Sequence, residues 1–138
     1  MLNFDEERFV RIQSGAVNLA ADLDEAVSSA LADGARNIVF AGVGGAGILM
    51  QPAAELLTER SNFPTYLGWP GEIVLTRPAY LGAASLVVIP SLSGTTSEAI
   101  AMAEYARSVG ATVLALVGHE GTPLADLADH TFVNHAAD

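Results

Sequence analysis

Leu86-Val87-Val88-Ile89-Pro90-Ser91-Leu92-Ser93-Gly94-Thr95-Thr96-Ser97-Glu98 is the stretch whose reading decides the fold. Residues 86–89 are apolar without alternation, and three of them are β-branched. A segment of that kind is a strand buried on both faces, as in the interior of a parallel sheet. It runs into a loop with five hydroxyl residues in seven positions, Ser91, Ser93, Thr95, Thr96 and Ser97. After the loop, Ile100, Ala103 and Ala106 recur at three-residue steps, which predicts a helix over 96–109. Strand, hydroxyl-rich loop and helix, in that order, make the front half of a strand–helix–strand unit.

The same alternation continues in both directions. Downstream, residues 112–117 read as a fourth strand, 123–128 as a short helix and 131–133 as a fifth, terminal strand. Upstream, 37–41 is a short buried strand, and 46–59 a helix that Pro52 kinks or restarts. Residues 65–69 form a second strand, and 71–78 a connection containing extended backbone. Residues 5–33 read as helix, because Phe9, Ile12, Ala16, Leu19, Leu23, Val27 and Leu31 recur at helical steps. Gly15 marks a candidate break in it, and Gly34 closes it from the C′ position. Long right-handed crossovers between doubly buried strands predict a three-layer α/β/α sandwich around a five-stranded parallel sheet. In such folds ligands sit beyond the C-terminal ends of the strands, so function is sought in the strand-to-helix loops.

Composition bounds the function. At 138 residues the chain is one domain's length. With 51% apolar and 16% charged residues it is not intrinsically disordered. Its most apolar stretch, residues 38–50, is 13 residues long with four glycines, short of the roughly 20 a spanning helix needs. The acidic start lacks a signal peptide's pattern, and there is no cysteine; a cytoplasmic location is expected. A net charge of −10 disfavours nucleic acid as a partner. All six basic residues are arginines, so Schiff-base and P-loop lysines are excluded within this chain.

Two loops carry chemistry. The first, after residue 41, matches G-x-G-x-x-G at Gly42, Gly44 and Gly47. Glycines there let backbone approach a ligand, with Gly44 and Gly45 N–H groups available at a helix start. The alternative reading is a tight turn with close helix–sheet packing. A dinucleotide site also needs an acid ending the second strand; residues 65–69 have none, and Glu72 follows a proline. That counts against NAD. The second loop, 91–98, suits a phosphate: its hydroxyls and free N–H groups form an anion cradle without lysine. Gly94 lets the turn bend, Thr96 or Ser97 is placed to cap the helix, and Glu98 serves the helix N-terminus. Ser91 is not in a nucleophile elbow and has no base nearby, which argues against a serine hydrolase.

The run Ser91-Leu92-Ser93-Gly94-Thr95-Thr96 resembles the Ser-x-Ser-Gly-x-Thr signature of sugar isomerase (SIS) domains. The resemblance extends over residues 36–134 in element order and implies the flavodoxin-like arrangement of that family. It implies phosphate contacts at Ser91, Ser93 and Thr96, with Gly94 at the turn, and no cofactor. Family members carry Gly-x-Ser after the first strand; here Gly42-Val43-Gly44 lacks the hydroxyl. The family's glutamate after the second strand has its counterpart in Glu72-Ile73. The chain looks most like the first SIS domain of fructosamine-6-phosphate deglycases and of the isomerase half of glucosamine-6-phosphate synthase. Those proteins carry two SIS domains, with acid/base groups largely from the second domain and the C-terminal tail. The expectation is a single SIS domain, alone or as part of a two-domain protein. Its ligand is expected to be a ketose, amino-sugar or fructosamine 6-phosphate, and its partner a second copy or a second SIS domain.

For turnover, Glu72 is the candidate to take a proton next to a carbonyl, and His119 the candidate to open a sugar ring or meet hydroxyls. Each also reads simply as a loop residue. His130 and His135 form no metal constellation, and no metal is expected. Trp69 and Tyr66 read as core or dimer contacts before a sugar platform. Two further readings remain open: a non-catalytic module that senses a sugar phosphate, and a nucleotide-binding module resting on Gly42, Gly44 and Gly47.

Overall fold

Five apolar runs become five parallel strands. In the computed structural model, which describes residues 3–135, the chain opens with α1 (Glu6–Asn18), α2 (Ala20–Ala32), β1 (Asn37–Ala41), α3 (Gly44–Arg60) and β2 (Thr65–Gly68). It continues through α4 (Pro70–Thr76), β3 (Ser85–Ser91), α5 (Ser97–Ser108), β4 (Thr112–Val117), α6 (Pro123–Leu127) and β5 (His130–Val133). The sheet order is β2-β1-β3-β4-β5, and every pairing is parallel. From β1 the chain passes through α3 to β2 on one side, then crosses back to β3 on the other. The switch point therefore lies between β1 and β3, where their loops diverge.

The side-chain period of two divides the strands between two cores. Val39, Val87, Ile89, Val113 and Ala115 face Ala99, Met102, Ala103 and Ala106 of α5 and Leu124 of α6. Ile38, Phe40, Leu86, Val88 and Leu114 face Ala26 and Ala30 of α2 and Ala54 of α3. Helices cover both faces, as the unbroken apolar runs require. The central β3 is buried at all seven positions, whereas the edge strand β2 is only partly covered. Among the described residues, no helix is long and apolar enough to cross a membrane.

Two elements depart from the sequence reading. The helix expected over 5–33 is two helices, and the break falls at Leu19 instead of Gly15. A Cβ at Gly15 would lie 3.3 Å from Asn134 Oδ1, so that glycine serves a close approach. An apolar stripe that continues through a one-residue break cannot reveal it. Beyond the break the stripe also changes meaning: α2 buries Ala26 and Ala30, whereas α1 buries nothing and Phe9 is 50% exposed. The second departure is α4, where extended backbone was expected. Pro70 stands at its first helical position, where a missing N–H costs nothing, and Ile73 anchors it in the core. Pro52 lies inside α3 without ending it. Gly34 closes α2 as read: its N–H bonds Leu31 O, and the next N–H bonds Ala30 O.

Candidate functional site

Ser91 ends β3, buried and paired with Val117. Its carbonyl and its Oγ both accept from the Gly94 N–H, at 3.1 and 3.2 Å. Its Oγ also lies 3.3 Å from Thr96 Oγ1. One of those two hydroxyls donates to the other, which leaves one O–H proton free for a ligand. Ser93 Oγ accepts from the Thr95 N–H at 3.2 Å and from Thr95 Oγ1 at 3.0 Å, so its own proton is also free to donate. The loop is tied down from outside. Leu92 O accepts from Gly118 N, and Gly94 O from Leu124 N. Gly94 has φ +63°, and a Cβ there would run into the Thr122 side chain. Only glycine meets both conditions, and the hydroxyls owe their positions to it.

The loop opens α5 without a side-chain cap, contrary to the expectation for Thr96 or Ser97. Ser97 Oγ donates instead to Glu98 Oε2 at 2.9 Å, and the Thr96 hydroxyl faces Ser91. The Thr96 carbonyl accepts the first helical bond, from Ile100 N. The Glu98 carboxyl is held below the usual carboxylate range by its own backbone N–H and then by the Ser97 hydroxyl. Its place in the first turn of α5 suits a carboxylate, which the positive end of a helix favours.

The loop after β1 has a packing reason for two glycines. A Cβ on Gly42 would stand 2.7 Å from the Gly47 backbone, and one on Gly47 would stand 2.6 Å from Gly42 O. The pair lets α3 begin directly against β1, which accounts for that part of the G-x-G-x-x-G match without a dinucleotide. Gly44 has φ +55° and opens the helix; it and Gly45 are exposed, and among the described residues a side chain at either would meet nothing within 4 Å. Their backbone is free to meet a ligand.

These loops enclose two clefts on either side of residues 42–47. The first, about 350 Å³, lies over the switch point and is lined by Val43 and Ala46 on one side, by Ser91, Ser93 and Thr96 on the other, and by His119. The second, about 330 Å³, lies towards the β2 edge and is lined by Gly42, Gly47, Gln51, Trp69 and Glu72, among others. The structure thus brings His119 to the hydroxyl loop and places Glu72 next door. Both side chains are exposed. Val43 and Ala46 fill variable positions of the glycine pattern and Gln51 lies outside it; their place at the clefts depends on the register of α3, which no short pattern carries.

The remaining candidates are accounted for elsewhere. Tyr66 stacks on Tyr80 at 3.8 Å between ring centroids, and burial, followed by the nearby Tyr66, Glu72 and Tyr105, raises the Tyr80 hydroxyl pKa. Arg77 stands over the Tyr105 ring. His135 pairs with Glu120 at 3.9 Å. Among the described residues, no three His, Asp or Glu side chains gather as a metal site.

Comparison with known proteins adds four findings. A family model described as SIS domain matches residues 31–137. The fructosamine deglycase FrlB of Bacillus subtilis is 30% identical over 95 residues, covering 68% of this chain and 29% of that protein. The 3-hexulose-6-phosphate isomerase of Mycobacterium gastri is 34% identical over 100 residues, covering 72% of this chain and 47% of that protein. This chain therefore spans less than half the length of either relative. Among solved structures, a ligand-bound protein of Escherichia coli CFT073 superposes with a TM-score of 0.75 at 19% identity, over 91% of this chain and 66% of its own. That likeness is one of fold.

Proposed function

The chain belongs to the SIS domain family, and from that membership we propose that it binds a sugar phosphate, with the phosphate on the 91–96 loop and the start of α5. The observation that carries this reading is the pair of spare hydroxyl protons at Ser93 and at Ser91–Thr96, at a helix start whose N-cap residue, Thr96, makes no side-chain cap. Hydroxyls and backbone N–H groups converging on a concave surface bind an oxyanion without any basic side chain. Gly44 and Gly45, across the cleft, add backbone donors to the sugar.

Strand spacing orients the ligand. From β3 across β1 to β2 is about 10 Å, comparable to the reach of an open-chain six-carbon sugar phosphate. A ligand anchored at Ser93 therefore brings its far end, carrying C1 and C2, towards Glu72. There a carboxylate takes the C1 proton next to the carbonyl and returns it at C2, through an enediol for a ketose or an enaminol for a fructosamine; in the second case the product is a C1 imine, which water hydrolyses to the aldose and the free amine. His119, beside the hydroxyl loop, contacts ring or chain oxygens and assists ring opening. The relatives' names span both reaction types, and this reading takes the ligand as a ketose, amino-sugar or fructosamine 6-phosphate in a cytoplasmic setting. A sensing module without turnover remains the second reading, favoured by the placement of Glu72 and His119 in separate, solvent-exposed clefts.

The domain is further proposed to pair, with a second copy or with a second SIS domain. Support comes from α1, which presents Val10 and Val17 at 52% and 71% exposure and buries no residue of its own.

Calorimetric titration with fructose 6-phosphate tests the phosphate site. Losing a hydrogen bond to a charged group costs about 1.5–3 kcal/mol, so Ser93→Ala is expected to weaken binding about ten- to 150-fold. Equal affinity in the variant and the parent would overturn the assignment of the cradle.

A further inference from the structure

The cleft beside Glu72 holds more apolar surface than a sugar's hydroxylated end can use. Ile48 on α3, Leu67 on β2 and Trp69 at the start of α4 all line it, at 62%, 44% and 52% exposure. Apolar side chains that remain exposed around a concavity of about 330 Å³ mark a ligand surface sooner than a stray patch. The frame of the cleft is stiff. Trp69 O holds the Ile73 N–H at 3.0 Å, and buried Pro70 follows directly. Gly42 and Gly47 form the facing wall, each leaving no room for a Cβ on the other.

Charge narrows the occupant. Among the described residues, Glu72 is the only charged one lining the cleft, and no ion pair engages it. A carboxylate in the same cleft as a half-exposed indole favours a cation carried beside apolar surface. The anion cradle lies on the other side of residues 42–47, and among the described residues no carboxylate lines it. The two clefts therefore have opposite electrostatic preferences at a spacing set by one intervening strand.

We propose that this second cleft is a subsite for an apolar or aromatic substituent on a secondary amine at C1 of the sugar phosphate. The ammonium nitrogen lies against Glu72, and the substituent packs on Trp69, Leu67 and Ile48. The inference rests on the phosphate reading above and selects, among phosphosugars, those carrying an N-substituted amine. A neutral ketose phosphate leaves the subsite empty.

Two ligands that share phosphate and sugar test it: fructose 6-phosphate and its C1 N-benzylamino analogue. Burying the benzyl group is expected to give about tenfold or greater tighter binding. Trp69 is the only tryptophan in the chain, so its emission reports the subsite directly. The benzylamino compound is expected to shift that emission to shorter wavelength, and fructose 6-phosphate to leave it in place. Trp69→Ala and, separately, Ile48→Asn on the exposed face of α3 are expected to remove the preference while fructose 6-phosphate affinity stays within about twofold. Equal affinities with unmoved emission, while Ser93→Ala still weakens both ligands, would overturn the subsite and spare the phosphate site. Failure of both ligands to bind the parent chain would overturn both readings together.

Discussion

Gly94 is the residue on which the cradle's geometry depends. Its positive φ disfavours any L side chain, and the space a Cβ needs is already held by Thr122. Gly94→Ala therefore adds strain of about 1–3 kcal/mol and a clash with a residue that caps α6 through its own hydroxyl. Urea unfolding is expected to show a loss of at least that size, and phosphosugar binding is expected to weaken with it. An unchanged midpoint would mean the loop relaxes without cost. Tyr80 provides a second single-residue test. Burial is the main cause raising its hydroxyl above the ordinary value of 10.0. The folded state thus holds that proton longer than the unfolded chain does. The associated stability is complete below pH 10 and is lost as pH rises through the folded value. Tyr80→Phe keeps the ring stacked on Tyr66 and removes the proton, so its stability is expected to fall less steeply above pH 10 than that of the parent. Parallel curves would show that Tyr80 ionises as freely when folded as when unfolded.

At the scale of elements, α5 positions the site, and it is set against the sheet by small residues. Ala99, Ala103 and Ala106 are buried against the strands, with Met102 filling the gap between them. Ala103→Leu would add bulk where the packing has none to spare, at about 1–3 kcal/mol. Because the same helix carries the start of the cradle, binding of fructose 6-phosphate is expected to weaken as well; calorimetry alongside urea unfolding measures both. Loss of stability with unchanged affinity would show that the loop, tied at Gly118 and Leu124, holds its shape independently of α5. How far such elements are legible in sequence depends on what forms them. Residues 112–117 are read to their ends, because Gly110 and Gly118 bracket a run that is apolar but for Thr112. The hydroxyl loop is legible because its composition is its chemistry. Helix α4 is not: Ile73, Val74 and Thr76 are β-branched and favour strand locally, and only Pro70 at the first position and the burial of Ile73 make them helical. The break at Leu19 is hidden by an apolar period that runs through it. The second cleft is invisible for a related reason. Its walls come from α3, β2 and the start of α4, and their meeting is set by tertiary contacts that no local pattern encodes.

For the whole molecule, the decisive imbalance is between a well-filled sheet core and an apolar exterior around α1 and α3. Phe4, Val10 and Val17 at one end, and Ile48, Leu49 and Leu56 on α3, are each more than half exposed. The groove between α1–α2 and the sheet, lined by Ala16, Leu19, Leu49, Met50 and Phe132 among others, measures about 470 Å³ and is almost wholly apolar. A chain this acidic repels its own copies, since each carries −10, so the proposed pairing would have to be driven by burial of that surface. The two contributions respond oppositely to salt. Added sodium chloride screens the repulsion within a Debye length of about 10 Å at 0.1 M and leaves the apolar drive in place. Sedimentation equilibrium is therefore expected to give twice the chain mass, with dissociation weakening as salt rises. Val10→Glu combined with Val17→Glu, both exposed on α1 and one heptad apart, should return the mass to that of one chain without lowering the urea midpoint of the isolated fold. A single-chain mass for the parent at all salt concentrations would mean that the exposed surface of α1 serves a second domain in place of a second copy. Mass unchanged by the double variant would move the interface away from α1 to the exposed face of α3.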